Sequence, residues 1–304
     1  MSSHDSEKSC HISDPSLITS EINLIQRLLN ISSSTAIEFV DIGWTSRVYL
    51  VNSGEIVFKF PRYKEVRKEY ELELEALSFA NSLGEQDIAL PRIQWSHPEC
   101  DYLGYYGVIG KPFGLIVDTL SGEERELIGK QIGNFLRKFH KGSITSAPAI
   151  SLEAELAECK SKLELGMSCL QEHLSLPEIE QVNSIFFEIF PELQRKEGRR
   201  VVLCHSDLTY GNMIYCSPGR IGIIDFGDLA YRDISTDFVA ILDPIIREAA
   251  LDSYGLGVSR QLVALRIKML PILKLPYFLG KNDSSGVIST IGEIQKVLEI
   301  DSDS

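Results

Sequence analysis

Two polar strings set between apolar runs constrain this chain more than any other feature. The first is His205-Ser206-Asp207-Leu208-Thr209-Tyr210-Gly211-Asn212 and the second is Ile224-Asp225-Phe226-Gly227-Asp228. Residues 201–204 and 213–224 are β-rich, so the order reads strand, loop, strand, tight turn, strand. Four residues separate Asp207 from Asn212, enough for a loop that turns both side chains toward one cleft. The turn Ser217-Pro218-Gly219-Arg220 reverses the chain and delivers Asp225 to the same place.

Two carboxylates and an amide so arranged suit phosphoryl transfer, which needs positioning and charge neutralisation rather than a protein nucleophile. One Asp takes the acceptor hydroxyl's proton, and the other Asp and the Asn hold Mg²⁺. Upstream, Val57-Phe58-Lys59-Phe60-Pro61 places a lysine inside an apolar strand. Such a lysine is costly unless its ammonium meets an anion. Nucleotide phosphates and a glutamate on the next helix would supply one. Glu69, Glu71, Glu73 and Glu75 are available. Glu73 is preferred for its place beside the apolar stripe of Tyr70, Leu74 and Leu77, and Glu69, one turn earlier, is second. The turn Asp41-Ile42-Gly43-Trp44-Thr45-Ser46-Arg47-Val48 stands where a phosphate-covering loop would lie. It has a single glycine, so Thr45 and Ser46 would contact phosphate through backbone and hydroxyl groups. No Walker A string occurs, and Gly255-Leu256-Gly257 reads as a break between helices.

The rest of the chain follows from periodicity. Residues 1–14 form a polar tail, and Asp14 or Ser16 caps a helix over 15–30. Strands are expected over 36–41, 47–52 and 55–60, a helix over 64–82, and a strand pair over 91–96 and 102–108. Past Gly110 the pattern turns helical: 122–141, two helices within 151–196 broken near Ser175-Leu176-Pro177, and helices from 236 with a loop at 281–286. The expected fold is α+β in two lobes, a small antiparallel-sheet lobe over 1–108 and a mostly helical one over 109–304. The 304 residues carry 43 acidic and 30 basic side chains, a net charge of −13. That excess argues against a general nucleic-acid binder and suits a protein that handles a cation. Cys10, Cys100, Cys159, Cys169, Cys204 and Cys216 are scattered without metal-site spacing, which fits a reducing compartment. The N-terminus lacks the apolar region of a signal peptide. The longest apolar run, 269–279, is interrupted by Pro271, Lys274 and Pro276, so no membrane span is expected. A cytoplasmic monomer is the reading.

Taken in order, these strings resemble the aminoglycoside phosphotransferase family, whose members share the protein-kinase fold. The resemblance runs over roughly 36–245. It rests on Val57-Phe-Lys-Phe-Pro-Arg62, Glu73-Leu-Glu-Ala-Leu77, Gly104-Tyr-Tyr-Gly-Val-Ile-Gly110, Gln131-Ile-Gly-Asn-Phe-Leu-Arg-Lys-Phe-His140, the His205-Ser-Asp207 loop and Gly222-Ile-Ile-Asp-Phe-Gly-Asp228. The last string and the strand ending Phe60-Pro61-Arg62 are most similar to the 2″-phosphotransferase branch. The resemblance implies Asp207 as catalytic base, Asn212 and Asp225 as Mg²⁺ ligands, and Lys59 on the phosphates. It implies a hinge at Tyr105–Val108 that holds the purine of GTP or ATP, with a bulky ring at Tyr105 favouring GTP. Where this chain has Ser206, relatives more often have Gly. A cationic aminoglycoside acceptor would need a carboxylate lining, for which Asp228, Asp237 and Asp243 are the candidates. Macrolide, choline and methylthioribose kinases share the same motifs, so the acceptor stays open. A weakly catalytic nucleotide-binding regulator is the remaining alternative. A protein kinase is disfavoured, since no Ala-Pro-Glu follows Asp225-Phe-Gly.

Overall fold

A computed structural model describes residues 14–41, 45–84, 87–216 and 219–302. The N-terminal tail, Gly43 and Trp44 of the turn, and Ser217-Pro218 lie outside the described residues. The chain opens with α1 (Pro15–Leu29), capped by Asp14, whose carboxylate accepts the Ser16 N–H at 2.8 Å. A sheet of five antiparallel strands follows: β1 (Ile37–Val40), β2 (Ser46–Val51), β3 (Ile56–Pro61), β4 (Arg92–Ser96) and β5 (Leu103–Tyr106), in spatial order β1-β2-β3-β5-β4. Between β3 and β4 runs α2 (Val66–Ser82), whose buried face includes Tyr70, Glu73 and Leu77.

One feature of α1 escapes periodicity. Glu21 is buried, pairs with Arg47 at 2.6 Å and accepts the Tyr49 hydroxyl at 2.6 Å, tying α1 to β2. Leu17, an apolar residue of the same helix, is exposed. A buried carboxylate is tolerable here because a guanidinium and a phenol satisfy it.

After β5 the chain crosses Gly107 into β6 (Lys111–Pro112), a two-residue strand too short to show in the sequence pattern. Then come α3 (Gly122–Phe139), α4 (Leu152–His173), α5 (Leu176–Ser184) and α6 (Phe190–Glu197). The helix expected after Pro177 is interrupted by a π-helical segment, Ile185–Ile189, so α5 and α6 are distinct. The strands β7 (Val201–Cys204), β8 (Met213–Cys216), β9 (Arg220–Ile223) and β10 (Ala230–Asp233) make two small sheets, β7 with β10 and β6-β8-β9. The final helices are α7 (Thr236–Val239), α8 (Pro244–Tyr254), α9 (Arg260–Gly280) and α10 (Ser284–Ser302). Gly255 and Gly257, at φ 94° and 107°, break the chain between α8 and α9 as expected. No described helix is long and apolar enough to cross a membrane.

The largest core joins α2, α3, α8 and the small sheets. Alpha-helices α3 and α8 approach closely because Gly129 and Gly133 lack side chains; a Cβ at either would collide with a carbonyl oxygen of α8. Ring contacts run from Phe135 to Phe139 (5.3 Å), on to Phe226 (5.8 Å), and to His205 (4.7 Å). Both polar strings are thus seated on the α3 core. Ala89, before β4, pairs with β9 through two backbone hydrogen bonds of 2.9 and 3.0 Å, a second crossing between the five-stranded sheet region and the helical region.

Candidate active site

The loop after β7 is fixed from below. His205 is wholly buried, and Ser206 takes φ 70°, the left-handed region where glycine is normally easiest. What holds it there is Asp237 on α7. Its two carboxylate oxygens accept the N–H groups of His205 and Ser206, each at 2.8 Å. His140, which caps the C-terminus of α3, stands 2.9 Å from the same carboxylate, with its other ring nitrogen 3.1 Å from the Tyr254 hydroxyl. Asp237 is 1% exposed. It was expected to line an acceptor cleft; instead it is sealed beneath the loop, because two backbone N–H groups and an imidazole use up its oxygens.

Above this brace the strings converge. A single 3₁₀ turn, Tyr210–Asn212, swings Asn212 back so that its amide nitrogen donates to Asp207 Oδ2 at 2.6 Å and to the Asp207 carbonyl at 2.9 Å. That leaves the Asn212 amide oxygen as a free-standing acceptor. The Ile224 N–H donates to the Asn212 carbonyl at 3.0 Å, which places Asp225, at φ 64°, beside the same loop. Across the cleft Lys59, 7% exposed on β3, donates to both Glu73 oxygens (3.0 and 3.1 Å) and to Asp225 Oδ1 (2.9 Å). Of the four glutamates on α2, Glu73 is the partner. Burial pulls the Lys59 pKa down, but Glu73 and the other charges facing it win, so the ammonium stays charged.

The carboxylates repel one another. Burial, then the charge of Asp228, pushes Asp207 up; burial, then Asp225, pushes Asp228 up; burial, then Asp228, pushes Glu69 up. Lys59 holds Asp225 below its ordinary value. Glu73 and Asp225 bond the Lys59 ammonium, and Asp207, Asp228 and Glu69 lie near enough to this group to raise one another. Such a set of hard oxygen donors, with the Asn212 oxygen among them, is the kind Mg²⁺ takes. Asn212 and Asp225 would hold the ion, and it would neutralise charge building on a transferred phosphoryl group.

Other expected residues fall differently. Asp243 caps α8, accepting the Ile246 N–H at 3.0 Å, and pairs with Arg125 at 2.7 Å. That carboxylate serves the helix rather than a ligand. Ser46 is 6% exposed and its hydroxyl oxygen accepts from Tyr70 at 2.8 Å, so its side chain faces α2 rather than the phosphate position. Thr45 is the exposed hydroxyl of that pair. Tyr105 is buried on β5 near Lys59, Glu73 and Asp225, and burial pushes its phenol up. Val108 lies over Gly222 of β9, where a Cβ would collide with it. Asp228 is exposed at the cleft. Glu69, second choice in the sequence, joins the acidic cluster without taking Lys59. The role of Asp237 was hidden because it is set by backbone partners 31 and 32 residues away.

A family model described as "Phosphotransferase enzyme family" matches residues 36–266. The chain belongs to this phosphotransferase family. It is therefore a phosphotransferase that acts on a hydroxyl group, with the protein-kinase-like fold of the family. The fold is similar to the GDP and kanamycin complex of an APH(2″) at TM-score 0.76 and 19% identity, covering 91% of this chain and 98% of that one. A macrolide 2′-phosphotransferase from Brachybacterium faecium matches at TM-score 0.64 and 17% identity, over 90% and 97% of the two chains. A choline/ethanolamine kinase family protein from Mesorhizobium loti matches at 0.63 and 16%, over 93% and 95%.

Proposed function

We propose that this phosphotransferase, a cytoplasmic monomer, moves the γ-phosphoryl group of GTP or ATP onto a hydroxyl of an aminoglycoside antibiotic, a modification of the kind that confers resistance. The observation that carries the reading is the convergence of Asp207, Asn212, Asp225 and the Lys59–Glu73 pair on one cleft rimmed by the exposed Asp228. Asp207 accepts a hydrogen bond from the acceptor hydroxyl, aligns its oxygen with the γ-phosphorus and takes the proton as the new P–O bond forms. The bond to the β-phosphate oxygen breaks, and Lys59 balances charge on the phosphates. The acidic cluster suits a polyamine acceptor, since each ammonium must exchange water for an anion or acceptor. The Asp237 and Asp243 placements favour a second reading, an acceptor with one amine, such as a macrolide, because they leave Asp228 alone of the three proposed lining residues.

The test is a transfer assay with labelled GTP and ATP against kanamycin, gentamicin, a macrolide and choline. Aminoglycoside phosphorylation is expected, with KM rising steeply as salt is added. Turnover of a macrolide or choline alone would move the acceptor and keep the chemistry. Nucleotide binding with no acceptor-dependent turnover would leave a regulator.

A further inference from the structure

Helix α2 grips the sheet at two points on one face. Glu73 holds Lys59 of β3, and Tyr70, three residues earlier, donates its phenolic hydrogen to Ser46 Oγ of β2 at 2.8 Å. Residues three apart share a helix face. On the sheet, Ser46 and Val48 share a face, and Val48 is paired directly opposite Lys59. The two gripped side chains therefore point the same way from neighbouring strands.

The Tyr70 contact is built into a dry site. The ring is 2% exposed, in a small apolar cluster with Val66, Cys100 and Leu103 that is separate from the main core. Burial pushes the phenol far up, so it remains a neutral donor. A buried hydroxyl without its partner would be costly. The Ser46 hydroxyl also lies 3.4 Å from that of Thr45. The start of β2 is thus tied to α2 one turn before Glu73. A helix held only by Glu73 could pivot about that ion pair; a second tie on the adjacent strand removes the pivot.

We infer that Tyr70 is a positioning residue for the nucleotide: its hydrogen bond to Ser46 fixes the rotation of α2 and hence where Glu73 presents the Lys59 ammonium. The inference rests on the phosphoryl-transfer reading above. Ser46 then serves the reaction through the helix and not by touching phosphate.

Tyr70→Phe keeps the ring and its packing and removes one hydroxyl. The nucleotide KM should rise about 5- to 15-fold, the worth of one buried hydrogen bond, while the acceptor KM stays unchanged and kcat falls less. Ser46→Ala should do the same, and the double variant should be no worse than either single change. Displacement of a fluorescent GTP analogue without acceptor separates nucleotide binding from the positioning role of Tyr70. Absence of nucleotide binding by the wild-type protein would overturn the phosphoryl-transfer reading and this inference with it. Tight wild-type binding matched by Tyr70→Phe would overturn the positioning role alone. So would additive losses in the double variant, or an acceptor KM that rises in step with that of the nucleotide.

Discussion

Asp225 sits in the left-handed region at φ 64°, with one oxygen held by Lys59 at 2.9 Å. Its charge is the part of the site that a divalent ion would need most, whereas Asn212 offers only a neutral oxygen. Asp225→Ala should therefore abolish turnover in a way that added Mg²⁺ does not restore, and Asn212→Ala should be milder and partly restored. Initial rates across an Mg²⁺ titration check this; wild-type rates for Asp225→Ala would mean the ion is held elsewhere. These two residues, with Asp207, Lys59 and Glu73, were legible in the sequence. Their spacing is short, and each sits in an apolar context that gives a polar side chain no reason to be there except function. Ser46, Asp237 and Asp243 were not legible as placed. A hydroxyl or carboxylate looks the same in sequence whether it meets a ligand, a buried phenol, a helix N-terminus or a backbone N–H.

At the scale of elements, the shortest helix has the largest consequence. Helix α7 spans Thr236–Val239 and presents Asp237 to the catalytic loop. Burial works to raise that carboxyl, but the His140 hydrogen bond and charge, His205 and the Ser206 N–H together hold it below its ordinary 3.8. A carboxylate depressed in the native state stabilises above its unfolded value, and that stability is lost as pH falls through the native one. Asp237→Asn should cost about 3 kcal/mol near neutrality, since it breaks a buried, charge-assisted network. The deficit should shrink below about pH 4, where the carboxyl of the unfolded chain begins to take up a proton while the native one is still ionised, and vanish as pH falls through the native value. Thermal unfolding of both proteins between about pH 3 and about pH 7 measures it, and a gap that stays constant with pH would refute the brace. Long, strongly periodic elements such as α2 and α3 could be read from their apolar stripes. The π segment at Ile185–Ile189 and the two-residue β6 could not, because neither leaves a period. Helix α9 runs through Pro271 and Pro276, which local propensity would have used as stops.

For the whole molecule, both regions serve one cleft. The five-stranded sheet with α2 brings Lys59 and Glu73, the small β7–β10 sheets bring Asp207, Asn212, Asp225 and Asp228, and the α3 core with its ring contacts supports the second group from below. The two-region layout was readable from hydrophobic periodicity, strand-rich and then helix-rich. The Ala89 crossing to β9 was not, since a single bridged residue carries no pattern. The central claim is that Asp207 takes the acceptor's proton in this cleft, and it is tested most directly by single-turnover transfer with Asp207→Ala alongside a nucleotide-binding titration. If Asp207 is the base, the rate falls by about 10²–10⁴-fold with nucleotide affinity essentially kept. A folded Asp207→Ala protein that transfers phosphate at a near wild-type rate would contradict it.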